Sequence, residues 1–222
     1  MSSEIKANVI SEVTSANGVS IDGVLLKDSQ VSASAGGAMC LIEKATASTT
    51  TDIDFTGINL LTQYRNIVFY LSNIKSSNDP DTLKMVVATS GTAFDNDAHY
   101  LHVANRNYYN GSGASQSSGV VNENKNAIFY SQYVGNQAVD ASLTEADGGF
   151  SGVINCIGFP HDVEYHQTTW TGTQGNNDGY LINFVGGGRY CENSLPITAV
   201  RFDFTSGTVL SGIIAMYGIK DA

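Results

Sequence analysis

Five residues, Val200-Arg201-Phe202-Asp203-Phe204, put three apolar side chains on one face of an extended chain and two charged ones on the other. Successive side chains of a strand point to opposite sides, so this is an antiparallel strand with one face in a core and one in water. The same period recurs in Ile67, Phe69 and Leu71 within Asn66 to Ile74, and in Leu83, Met85 and Val87. Further apolar runs centre on Tyr100 to Val103, Ile128 to Val134, Val153 to Phe159 and Tyr180 to Val185. Each is bounded by Gly, Asn, Asp or Pro, the residues of turns. After Ser206-Gly207, the stretch Val209 to Ile219 is apolar or small on both faces. It predicts a strand covered on both sides, in the centre of a sheet or beneath another subunit.

Composition argues against a helical alternative. Gly, Ser, Thr and Asn supply 83 of 222 residues and only 14% are charged, whereas helix surfaces are built from Glu, Lys, Arg, Gln and Ala. Helical turns are expected only at Ile58 to Gln63 and Ser142 to Asp147. With 42% apolar residues there is material for a core. Eight to ten strands joined by long polar loops predict an all-β fold over residues 40–222, an antiparallel β-sandwich of jelly-roll type.

Residues 1–39 read differently, as an extended N-terminal arm. Val19 and Ile21 share one face of a short strand, Val24 and Leu26 share one face of the next, and Asp22-Gly23 between them signals a two-residue hairpin. A hairpin this short is not stable alone in water, so its apolar face must be covered by the body of the protein, by a partner or by copies of itself. The Ser/Ala/Gly run from Ser32 to Ala38 reads as the link to the main domain.

The balance of 11 Lys and Arg against 21 Asp and Glu gives a formal charge of −10, without the basic clusters that phosphate contacts require. Neither nucleic acid nor an anionic membrane is an expected partner. The apolar runs fall short of the ~20 residues a bilayer-spanning helix needs. Residues 1 to 30 lack the layout of a secretion signal, so a soluble protein not exported by that route is expected. Cys40, Cys156 and Cys191 are widely spaced and read as small buried thiols.

Candidate chemistry is sparse. Asp162, Glu164 and His166 share parity in PHDVEYH and offer a metal-like set, but a solvated strand face accounts for them as well, and no metal or other cofactor is expected. His99 and His102 fall on opposite faces of an extended segment. Asp79-Pro80-Asp81 and Asp95-Asn96-Asp97 lack the Gly and distal Glu of a calcium loop and read as turn acids. There is no G-x-S-x-G, and Gly186-Gly187-Gly188 reads as a polar loop or strand end with no phosphate-binding helix to follow. No catalytic residues are assigned and a non-enzymatic role is expected, with a two-carboxylate depolymerase the least favoured reading. Tyr108 and Tyr109 in NRNYYNGSG and Trp170 in HQTTWTGTQGNN read as rings displayed in polar loops, among amides and hydroxyls. They suit stacking on a glycan or packing between subunits.

The segment Glu12 to Asp28, EVTSANGVSIDGVLLKD, resembles a stretch recurring in structural proteins of tailed bacteriophages, particularly marine ones, ahead of a globular β domain. Ile197 to Lys220, ITAVRFDFTSGTVLSGIIAMYGIK, resembles the closing strands of their head domains. Asn17-Gly18, Ile21-Asp22-Gly23-Val24 and Tyr217-Gly218-Ile219 carry the match, and the two stretches cover about 40 of 222 residues. The resemblance implies a homotrimeric protein on the virion surface, assembled in the host cytoplasm and bound to capsid or other virion proteins. Val19, Ile21, Asp22, Gly23, Val24 and Leu26 would serve attachment or oligomerisation. The short arm suits a capsid decoration or head fibre. The alternative is a tail fibre recognising a host surface glycan through Tyr108, Tyr109 and Trp170.

Overall fold

The computed structural model describes residues 19–21, 24–27, 30–31, 39–78, 81–96, 100–110, 119–125, 127–130, 149–163, 165–175 and 180–220. The chain divides into two compact units, Met1–Cys40 with Ala222, and Leu41–Asp221.

In the first unit, β1 (Val19–Ile21), β2 (Val24–Lys27) and β3 (Gln30–Val31) form a three-stranded sheet in that order. Ile21 stands opposite Val24 and Val19 opposite Leu26 in an antiparallel register. That register leaves two residues for the connection, the length a hairpin of this kind uses. Asp22 and Gly23 lie outside the described residues. A third strand, pairing Leu26 with Val31, was not foreseen from the sequence.

From Met39 onward the described residues form twelve strands: β4 (Met39–Thr50), β5 (Asp52–Thr56), β6 (Tyr64–Ser76), β7 (Leu83–Ala88), β8 (Tyr100–Asn110), β9 (Gly119–Lys125), β10 (Phe129–Tyr130), β11 (Gly149–Ile157), β12 (His166–Gly175), β13 (Tyr180–Tyr190), β14 (Ala199–Phe204) and β15 (Val209–Lys220). A 3₁₀ turn at Ile58–Leu60 matches the first expected helical turn. The second, Ser142 to Asp147, lies outside the described residues. The strands form one sheet of order β10-β7-β14-β5 and a larger one of order β4-β15-β6-β11-β12-β13-β8-β9.

This order is a jelly roll with two insertions. Numbering β4, β5, β6, β7, β10, β11, β14 and β15 as one to eight gives sheets 1-8-3-6 and 2-7-4-5, the two interlocked Greek keys of an eight-stranded jelly roll. The hairpin β8–β9 is inserted between the fourth and fifth strands and β12–β13 between the sixth and seventh. Both extend the large sheet beyond β11. The expected jelly-roll sandwich is therefore present, and the strand total exceeds eight to ten because of these four additional strands.

Phenylalanines join the two sheets. Phe69 of β6 meets Phe55 of β5 at 5.2 Å and Phe202 of β14 at 5.1 Å between ring centroids, and all three are fully buried. Val200, Phe202 and Phe204 face this core while Arg201 and Asp203 do not, as the alternation in β14 dictates. β15 lies between β4 and β6, an interior strand next to the edge of the large sheet; Ile213, Ala215, Tyr217 and Ile219 are only half-buried, so the expected cover of both faces is incomplete within this chain's described residues. Its ladder with β6 slips on either side of Ser211. There Gly212 takes a φ of +124° beside Asn73, itself at +50°. A Cβ on Gly212 would stand 2.7 Å from the Asn73 carbonyl oxygen, so this bulge requires glycine.

Candidate functional site

The four inserted strands carry the most site-like surface of the second unit. On β12, His166, Thr168, Trp170, Gly172 and Gln174 are buried, while Gln167, Thr169, Thr171 and Thr173 are exposed. The register carries this outward parity across the sheet: Thr169 stands beside Gly187 and Gln167 beside Arg189 of β13. Gly187 in turn stands beside Val103 and Arg189 beside Leu101 of β8. Thr169 and Val103 are thus two interstrand spacings apart, about 10 Å, with only the glycine backbone between them. The result is an open trough of about 390 Å³.

Its three glycines have different reasons to be there. A Cβ on Gly186 would lie 2.5 Å from the Trp170 indole, and one on Gly188 would lie 2.4 Å from the Ile128 carbonyl oxygen. Inward packing excludes any side chain at both positions. A Cβ on Gly187 would meet only the Thr168 carbonyl oxygen, at 3.3 Å. Interior glycine weakens a strand, and Gly187 is a bare floor where a side chain meets one close backbone contact, a milder obstacle than those at Gly186 and Gly188.

Arg189 closes one end of the trough. Its guanidinium carbon sits 4.3 Å from the centre of the Tyr165 ring, and its Nε donates to Cys191 Sγ at 3.1 Å. Ring and sulfur hold the side chain in place, and among the described residues no carboxylate forms an ion pair with it. The outer face of the small sheet is different. There Arg201 grips Asp54 through both carboxylate oxygens, at 2.8 and 2.7 Å, approaches Asp52 at 3.5 Å and lies over the Phe94 ring. Lys84 pairs with Asp203 at 3.2 Å, so both cations of that face are already engaged by carboxylates.

Several expectations need correction. Trp170, expected as a displayed ring, is only 2% exposed. It belongs to β12 and shares the inward parity of Thr168, filling the space Gly186 leaves. Gly186-Gly187-Gly188 is mid-strand rather than loop or strand end, and Tyr190 behind it is buried. Tyr108 and Tyr109 lie in β8 opposite Ile182 and Leu181, not in a loop. His166 does not share a solvated face with Asp162. It is fully buried between Phe159 and Tyr190, its Nε2 donating to the Leu195 carbonyl oxygen at 2.7 Å. Glu164 and His99 lie outside the described residues, and among the described residues no group of three His, Cys, Asp or Glu stands together as a metal set. The cysteines are separate thiols, of which only Cys156 is fully buried, and burial pushes its thiol pKa well up.

Asp81, read as a turn acid, is also buried. Its two carboxylate oxygens accept five hydrogen bonds, from the Ser76 and Thr205 hydroxyls and the Thr82, Ser206 and Gly207 amides. It ties the β6–β7 connection to the β14–β15 turn. No family model, no curated protein and no solved structure matches the chain.

Proposed function

We propose that the protein is a non-enzymatic structural component of a tailed-bacteriophage virion, a capsid decoration or short head fibre, held to the particle by residues 1–39. The observation that supports this reading is the separate N-terminal unit. Its three strands have only two to four residues each, short of the usual five or six, so the sheet has little pairing of its own to hold it. Val19, Ile21, Val24 and Leu26 occupy one parity of its ladder, an apolar row at register positions that call for cover by another surface. On this reading the particle supplies that surface. The jelly roll is the displayed body, and display as a trimer strengthens attachment through many weak contacts made together.

The test is co-sedimentation with capsids lacking the protein. The full chain is expected to pellet with them, and a variant lacking residues 1–34 is expected to stay in the supernatant. Equal pelleting of the two would overturn the assignment of attachment to the arm.

A further inference from the structure

We infer that the trough over Gly187 is a binding site for a carboxylate-bearing sugar unit of a polysaccharide. The inference does not depend on how the protein is held to a particle.

The floor is peptide backbone at Gly187, flanked by Val103, which is 46% exposed, and by the hydroxyl and methyl of Thr169. The Thr169 and Val103 backbones stand about 10 Å apart across Gly187, the scale of a single sugar unit rather than of a longer oligomer. The C–H face of a sugar ring needs such an apolar bed, and its rim of hydroxyls needs nearby polar groups, which Thr169 and Gln167 offer.

Arg189 selects the charge. A guanidinium presents a planar fork of donors that matches a carboxylate bidentately. Here the fork is fixed from behind by Tyr165 and Cys191 and stands at the end of the trough. The chain carries only 11 basic residues against 21 acidic ones, and both cations of the small sheet's outer face are already engaged by carboxylates. An arginine held in an open trough with no acidic partner among the described residues is therefore an anion-recognising group. The requirement for a flat, hydroxylated ring beside that anion distinguishes an acidic sugar from a simple carboxylate. The site lies wholly on β8, β12 and β13, strands the eight-stranded jelly roll does not need.

Trp170 provides a direct readout. It is the single tryptophan of the chain, and its indole lies just beneath the backbone at Gly186. The full-length protein is titrated with oligogalacturonate, an alginate oligomer, a hyaluronan oligosaccharide and sialyllactose, following tryptophan emission and heat. Methyl-esterified oligogalacturonate and a neutral maltose oligomer serve as comparisons. At least one acidic probe is expected to bind saturably at millimolar concentration or below, with the esterified and neutral probes weaker by about tenfold or more. Gly187→Val, which fills the trough with a good strand former, is expected to abolish binding in a protein that still unfolds cooperatively. Arg189→Gln is expected to weaken binding by about tenfold and remove the preference for acid over ester. Saturable binding by none of the acidic probes would overturn the inference. So would acid and ester binding equally to the wild type, or Arg189→Gln binding as the wild type does.

Discussion

The amide of Gly207 donates to Oδ2 of Asp81 at 2.7 Å, joining residues 126 apart in the chain. A Cβ on Gly207 would stand 2.6 Å from that same oxygen, so the contact also accounts for the glycine. Five donors around one buried carboxylate make this the most heavily hydrogen-bonded side chain among the described residues. Asp81→Ala leaves the Ser206 and Gly207 amides without their acceptor and is expected to cost about 3–5 kcal/mol in urea unfolding. Asp81→Asn retains one acceptor oxygen and is expected to cost about half of that.

His166 makes stability depend on pH. Burial holds its pKa below the ordinary 6.5, against the smaller opposing effects of the Leu195 and Gly158 carbonyls and the Asp162 charge. A depressed folded value means that the unfolded chain takes up the proton first. The contribution is therefore complete above pH 6.5 and is lost as pH falls from 6.5 towards the folded value. Urea unfolding at stepped pH is expected to show a slope of up to ~1.4 kcal/mol per pH unit in that window. His166→Gln is expected to flatten it.

Arg201 and Asp54 are paired in good geometry yet remain about a third exposed, at 30% and 27% of their side chains. Their coupling in a double-mutant cycle is expected to be about 1 kcal/mol at low salt and to shrink as salt is added.

Gly186→Ala and Gly187→Ala separate inward from outward demand. A methyl at 186 is driven into the Trp170 ring at 2.5 Å. That variant is expected to lose about 1–3 kcal/mol and to shift tryptophan emission. The same change at 187, where a Cβ meets only the Thr168 carbonyl oxygen at 3.3 Å, is expected to cost less and to leave tryptophan emission unchanged.

What the sequence disclosed follows from where periodicity exists. β6, β7 and β14 have a hydrophobic inner face and were legible, as was the interior position of β15. β12 was not, because its buried face is His166, Thr168, Trp170, Gly172 and Gln174 while its exposed face is Gln167 and three threonines. Neither face is apolar as a whole, so no alternation marks the strand. Trp170 is inside because Gly186, sixteen residues on, leaves room for its indole. The length of β4 escaped notice for a related reason: Ala47 is its one buried residue. The trough was beyond reach of the sequence because its floor and walls come from three strands in β8–β13–β12 order. The three glycines were visible, but nothing in a linear reading tells the one facing outward from the two against packed atoms.

The most direct test of the account is electron microscopy of intact particles carrying a label fused to residue 222 of this chain. The account predicts label over the capsid or collar surface, grouped in threes. Label at the tail tip, or none on purified particles, would contradict it.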